Sequence, residues 1–224
     1  MDSAVIFDVD GVLLDLTGAE EDAFFLAFER RYGLTGLSRD WDSYQVRNDE
    51  HIISEILSRH GLPAADRDGV IADYLAILSQ GFGSGALRAT VIPGANALLD
   101  DLRGSRLGIA TANLLAAAQL RLDAAGLWPP VRALAFGAEG SGHKRETVAR
   151  AIAETGLPRN RIVYIGDNLN DVDAGLSNGV HFVGFSMDDA RRAKLTAAGA
   201  RYAADNHAQT GIIIRQLLGV TSAE

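Results

Sequence analysis

The sequence predicts an α/β fold, a doubly wound parallel sheet carrying a small all-helical insertion. Three observations predict it. Short apolar runs bounded by Gly, Pro, Asp or Asn alternate with segments of helical periodicity over most of the chain, the pattern of β-α-β units joined by right-handed crossovers. Between about residues 16 and 88 the alternation stops and only helical periodicity is found. The 224 residues, 47% hydrophobic and 22% charged, supply one large domain with a sizeable core, or such a core with a modest insertion.

Ala4–Phe7 reads as the first buried strand. Phe24, Phe25 and Phe28 share one side of a helix over 20–32. Ile52, Ile53, Ile56 and Leu57 do the same over 50–59, and Val70, Ile71, Tyr74, Leu75 and Leu78 over 69–79. Gly33, Gly61 and Pro63 separate these helices, and Gly81–Gly85 reads as the most flexible stretch of the chain. Hinges are expected near Thr17-Gly18 and within Gly83–Gly85. From Pro93-Gly94 the sheet rhythm resumes: a helix over 95–102, a strand over 107–110 that contains Gly108, a helix over 114–125 and a strand over 131–136. A helix over 145–155, a strand over 162–165, a helix over 171–177, a strand over 181–184 and a helix over 190–198 follow, and a last helix covers 207–218. The expected division is a Rossmann-like core of residues 1–15 and 89–224, with a helical domain of residues 16–88.

Charge and composition narrow the function. Acidic residues outnumber basic ones 29 to 21, for a net charge of −8, and Lys144 and Lys194 are the only lysines. With no basic run, neither nucleic acid nor an anionic membrane is an expected partner, because both need clustered positive charge. No apolar run approaches the roughly 20 residues that span a bilayer. The opening residues, MDSAVIFDVDG, lack the basic stretch that precedes the apolar run of a secretory signal. A chain with no cysteine cannot use disulfides, thiol catalysis or thiolate metal sites. A cytoplasmic protein is expected.

Four segments at strand ends carry chemistry, because ligands of an open parallel sheet bind beyond the carboxyl ends of its strands. Asp8-Val9-Asp10-Gly11 puts two acids past the first strand, where they either face one cavity or serve as turn aspartates. Thr111-Ala112-Asn113 precedes a helix and offers a hydroxyl and backbone N–H groups that suit a phosphate oxygen, or an N-cap. Lys144 follows the glycine-rich Gly137–Gly142 stretch, as a cation of the site or a surface lysine. Gly166-Asp167-Asn168-Leu169-Asn170-Asp171 sets two acids four apart. A helix starting near Asn168 turns Asp171 back towards the strand end, or leaves it as an acid favoured by the helix dipole.

Taken in order, acid-x-acid, hydroxyl, lysine and Gly-Asp-x-x-x-Asp resemble the four motifs of the haloacid dehalogenase-like (HAD) hydrolases. Asp8 and Asp10 match the first, Thr111 the second, Lys144 the third, and Asp167 with Asp171 the fourth. The helical insertion, and the return through Val91-Ile92-Pro93-Gly94, resemble the cap of the phosphoglycolate phosphatase and β-phosphoglucomutase-like branch. Lys144-Arg145 departs from the Lys-Pro of many relatives, and leaves Arg145 to share the cationic role.

The resemblance implies a Mg²⁺-dependent phosphatase acting on a small phosphorylated metabolite. Asp8 attacks phosphorus to form an aspartyl-phosphate; Asp10 protonates the leaving alcohol and then activates water. Thr111, Ala112, Asn113 and Lys144 hold the phosphoryl oxygens. Asp8, Asp167 and the backbone carbonyl of Asp10 hold Mg²⁺, with Gly11, Asn168 and Asp171 in support. The charges agree, because a phosphate dianion repels a carboxylate nucleophile unless a cation stands between them.

A phosphomutase needs the same residues and is the alternative within the family. Dehalogenases lack the second acid that Asp10 supplies, and phosphonatases need a cap lysine that residues 16–88 do not contain. A receiver domain or a non-catalytic phosphate-binding protein is the alternative outside it. In a receiver domain the second acid pair would not follow the lysine, nor would an insertion interrupt the sheet. Arg47, just before the helix over 50–59, is the expected cap contact to a substrate carboxylate or second anion; the alternative is an ion pair with Asp49 or Glu50. Trp41, Trp128 and the phenylalanine cluster read as core, and the five histidines as capping, packing or surface residues.

Overall fold

The computed structural model describes residues 2–219. Its strands are β1 (Ala4–Phe7), β2 (Leu14–Asp15), β3 (Thr90–Val91), β4 (Arg106–Ala110), β5 (Ala135–Phe136), β6 (Ile162–Gly166), β7 (His181–Phe185) and β8 (Tyr202–Ala204). Six of them form one parallel sheet in the order β5-β4-β1-β6-β7-β8. β1 lies centrally, with Phe7 opposite Ile109 on one side and Ile165 on the other. All four of its side chains are buried, as expected of a strand covered on both faces.

The other two strands pair antiparallel, Leu14 with Val91 and Asp15 with Thr90, at the points where the chain leaves the sheet and returns. This pair is absent from the sequence expectation, which placed hinges a few residues inside it, near Thr17-Gly18 and within Gly83–Gly85. Between β2 and β3 run α1 (Gly18–Tyr32), α2 (Asp49–Arg59) and α3 (Arg67–Ser84). Thr17 and Glu20 close a reciprocal capping box at the start of α1, and Asn48 caps α2 through the His51 N–H at 2.8 Å. The apolar faces of the three helices share a core of Phe24, Phe28, Ile53, Leu57, Val70 and Leu78. Gly81–Gly85, the stretch read as the most flexible, is helical to Ser84, and Phe82 and Leu87 pack onto this core on either side of the helix end.

The sheet is covered on both faces. Val5 and Phe7 point to the face where α4 (Ala95–Asp101), α5 (Leu115–Ala124), α6 (Trp128–Val131) and α10 (His207–Leu218) pack. Ala4 and Ile6 point to α7 (Lys144–Thr155), α8 (Leu169–Ser177) and α9 (Asp189–Ala197). The expected strand over 131–136 is shortened to Ala135–Phe136. Pro129 and Pro130 stand in the first turn of α6, where a missing N–H costs nothing, and a 3₁₀ turn over Arg132–Leu134 follows. That turn explains Gly108 in β4, since a Cβ there would overlap the carbonyl of Leu134. β8 was not expected either. Among the described residues no helix is long and apolar enough to cross a membrane.

Candidate active site

The first carboxylate stands where β1 ends. Asp8 N–H donates to the Ile165 carbonyl at 2.8 Å, so the backbone is still held by β6 while the side chain turns into a cavity, 7% exposed. The chain then folds back, with Gly11 N–H on the Leu14 carbonyl at 2.8 Å and Gly11 at φ +73°. No other residue fits position 11, because a Cβ there would overlap the Asp167 carboxylate. Asp167 follows β6, and Lys144 opens α7 with its ammonium 2.7 Å from Asp8 Oδ1 and 3.2 Å from Asp171 Oδ1. Asp171, fully buried, also accepts from the Tyr164 hydroxyl at 2.6 Å and from Asn168 N–H at 3.1 Å. Lys144 is thereby fixed from two sides. Arg145 is exposed, and among the described residues it makes no ion pair with the site's acids; the cation paired with Asp8 there is Lys144.

Thr111 follows β4 and exchanges hydrogen bonds with Asn113, its hydroxyl donating to Asn113 Oδ1 and accepting from Asn113 N–H, both at 3.1 Å. The N-cap of α5 is Leu114, so neither residue caps the helix. The N–H groups of Leu114 and Leu115 are taken by Asp49 (2.9 Å) and Glu139 (2.7 Å). Among the described residues Ala112 N–H has no acceptor, and it is the free donor of this loop.

Sequence reasoning missed Arg121. It lies mid-helix on α5, 2% exposed, with its guanidinium bonded to Asp10 Oδ1 at 2.6 Å, Glu20 Oε1 at 2.8 Å and Asn113 Oδ1 at 3.3 Å. Burial opposes its charge, and Asp10 and Glu20 outweigh that and hold it above the ordinary arginine range. Asp10 is thus held by the same guanidinium that binds Glu20 of α1. The available signal was an arginine set among Ala117, Ala118 and Leu122 on the buried stripe of α5. Asp49, one of the two surface partners in the alternative reading of Arg47, is buried instead. Its N–H holds the Ala112 carbonyl at 3.0 Å, and its carboxyl is pushed up to about 7 by burial, partly offset by the Leu114 N–H.

These groups border one cavity of about 320 Å³ between the sheet end and the insertion. Arg47 borders it too, with its guanidinium on Asp42 at 3.0 Å; Glu50, the other expected partner, pairs with Arg67. Phe24 and Trp41, read as core, belong both to the helical core and to the cavity wall.

The donors fit a hard divalent cation. One oxygen from each of Asp8, Asp167 and Asp171 lies within 4.8 Å of the others; Asp171 is taken up by Lys144, Tyr164 and Asn168, which leaves Asp8 and Asp167 as the carboxylates for an ion. Burial and the other two acids push Asp8 well up, against the pull of Lys144. Burial and Asp171 raise Asp167 to about 6, although Arg191 stands 2.6 Å from its Oδ2. A cation relieves this repulsion. Asp10, expected beside Asp8 and Asp167, is absent from the carboxylate cluster because its side chain is held by Arg121; its backbone carbonyl remains the group it has to offer.

The sequence model of the haloacid dehalogenase-like hydrolases matches residues 3–179. No curated protein matches the chain. Among solved structures, CbbY from Rhodobacter sphaeroides in complex with phosphate is similar at a TM-score of 0.73 and 23% identity, over 94% of this chain and 97% of that one. A putative β-phosphoglucomutase from Bacteroides vulgatus is similar at 0.70 and 19%, over 99% and 90%. A predicted phosphatase from Clostridium acetobutylicum is similar at 0.66 and 19%, over 96% and 99%.

Proposed function

From the premise that the chain belongs to the haloacid dehalogenase-like hydrolases, we propose that it is a cytoplasmic Mg²⁺-dependent phosphatase of a small phosphate monoester. The observation that carries this reading is the buried Asp8–Lys144 contact at 2.7 Å, set at the end of the central strand beside Asp167. A carboxylate there is a nucleophile held in register with its own counter-ion. Asp8 attacks phosphorus, an Asp8–phosphorus bond forms, the ester P–O bond breaks, and the leaving oxygen takes a proton from Asp10. Water then attacks the aspartyl-phosphate, giving its proton to Asp10 and releasing phosphate and Asp8. Lys144, the Thr111 hydroxyl and the Ala112 N–H take up charge on the phosphoryl oxygens. Asp171 keeps Lys144 aimed at Asp8 through the Tyr164 and Asn168 bonds. Asp8, Asp167 and the Asp10 carbonyl would hold Mg²⁺, which when bound neutralises the phosphoryl group. Arg47, at the rim and paired with Asp42, would contact a hydroxyl or ester oxygen of the leaving group from the insertion.

The test is phosphate release from p-nitrophenyl phosphate with Mg²⁺. EDTA should abolish it and Mg²⁺ or Mn²⁺ restore it. Asp8→Asn should lower turnover by at least roughly a thousandfold, about 4 kcal/mol in the barrier. Full activity after exhaustive chelation removes the metal from the mechanism, and normal turnover by Asp8→Asn removes the covalent step. Release of phosphate, as against formation of an isomeric phosphate ester, separates a phosphatase from a phosphomutase.

A further inference from the structure

The side of the cavity formed by the insertion is built from rings and carboxylates. Phe24 packs edge-on against Trp41 (ring centroids 5.5 Å apart) and against Tyr74 (5.3 Å), so the three rings form one continuous wall. At its Trp41 end Glu21 accepts the indole N–H at 2.8 Å, and at its Tyr74 end lies Asp49. Tyr74 is 6% exposed, and among the described residues its hydroxyl has no hydrogen-bond partner, although it borders the cavity.

The charges around the cavity do not balance. Each of its four cations already has a carboxylate: Lys144 has Asp8 and Asp171, Arg121 has Asp10 and Glu20, Arg191 has Asp167, and Arg47 has Asp42. Among the described residues Glu21 and Asp49 have no such cation. A second phosphate or a carboxylate on the leaving group would face these acids and find only guanidinium groups that are already paired. A protonated amine would instead meet carboxylates that hold no ion-pair partner, and these favour it.

We propose that the substrate is the phosphate ester of an amino alcohol or amino sugar, whose ammonium group is received between the aromatic wall, Glu21 and Asp49. This rests on the phosphatase reading above and names its substrate class. Tyr74 supplies the remaining polar contact, to a hydroxyl or to the ammonium itself. The raised carboxyl of Asp49 agrees with it: burial and Asp10 push it up by more than the Leu114 N–H and Arg121 pull it down, and a bound ammonium would add the positive charge that favours the carboxylate.

Esters that differ in one group test this. O-Phosphoethanolamine, 2-hydroxyethyl phosphate and phosphoglycolate form a two-carbon series; glucosamine 6-phosphate, glucose 6-phosphate and 6-phosphogluconate form a six-carbon series. In at least one series kcat/KM should be about tenfold or more higher for the amine than for the hydroxyl ester, and lowest for the carboxylate. Asp49→Asn and Glu21→Gln should each reduce the amine-to-hydroxyl ratio by about threefold or more. The ratio compares two esters on one preparation, so partial misfolding of a variant leaves it readable. Equal values for amine and hydroxyl in both series, a preferred carboxylate ester, or a ratio untouched by both substitutions overturns the inference. Failure to release phosphate from any of these esters and from p-nitrophenyl phosphate is a different result, which overturns the phosphatase reading.

Discussion

Asp49 shows how one carboxyl couples the site to stability. Its folded-state pKa of about 7 lies above the ordinary aspartate value of 3.8, so folding takes up a proton there as pH rises between the two. The stability associated with the protonated form is fully present below about pH 4 and is lost as pH climbs to 7. Asparagine keeps an oxygen to accept the Leu114 N–H and does not titrate. The Tm of Asp49→Asn relative to the parent should therefore rise from pH 4 to pH 7 and level off above it. Three pKa units set an upper bound of about 4 kcal/mol on the gain. A difference in Tm that stays constant over that window would mean that Asp49 ionises normally.

At the scale of elements, α5 is the member that joins the insertion to the sheet. Its first turn is held by Asp49, and its buried face carries Arg121 across to Glu20 on α1, itself 1% exposed. Removing one partner of a buried pair strands the other, at a cost of about 3–5 kcal/mol. Arg121→Met should lose that much by urea titration and should also lower kcat, because Asp10 loses the group that orients it; Arg121→Lys should recover part of both. Asp8, Thr111, Lys144 and Asp167 were legible because each follows a strand end or glycine-rich loop whose neighbours mark it. Arg121 was not, since an arginine on a helix is normally a solvated residue, and only the tertiary placement of Glu20 and Asp10 makes its burial tolerable. The β2–β3 pair was too short to carry a periodicity. Val131 and Leu134 are buried in the core while Arg132 and Ala133 are exposed, and two buried apolar residues alone do not distinguish a strand from a 3₁₀ turn.

Across the whole molecule, the helical core is not closed on itself. Leu114 and Ala117 of the sheet's own segment complete it, and the Arg121–Glu20 and Asp49–Leu114 contacts lie along the same seam. The insertion and the sheet should therefore unfold together. The chain has two tryptophans, Trp41 beside α1 and Trp128 on α6, one on each side of that seam. In the single-tryptophan variants Trp128→Phe and Trp41→Phe, each corrected for its own stability by circular dichroism, the fluorescence and dichroism midpoints in urea should coincide. A fluorescence midpoint for Trp41 below the dichroism midpoint would show the insertion melting first.

The antiparallel ladder of Leu14–Asp15 with Thr90–Val91 has a consequence for engineering. Outgoing and incoming chain lie side by side, so a two-residue hairpin turn is enough to splice the ends together, and a foreign helical module can be grafted across the same two rungs without stretching the backbone. The graft succeeds only on the molecule's own terms. The donor must bring an apolar surface to cover Leu114 and Ala117, and an acid to take the place of Glu20 on Arg121; a splice that supplies neither leaves a greasy scar and a buried guanidinium with Asp10 as its one remaining acid.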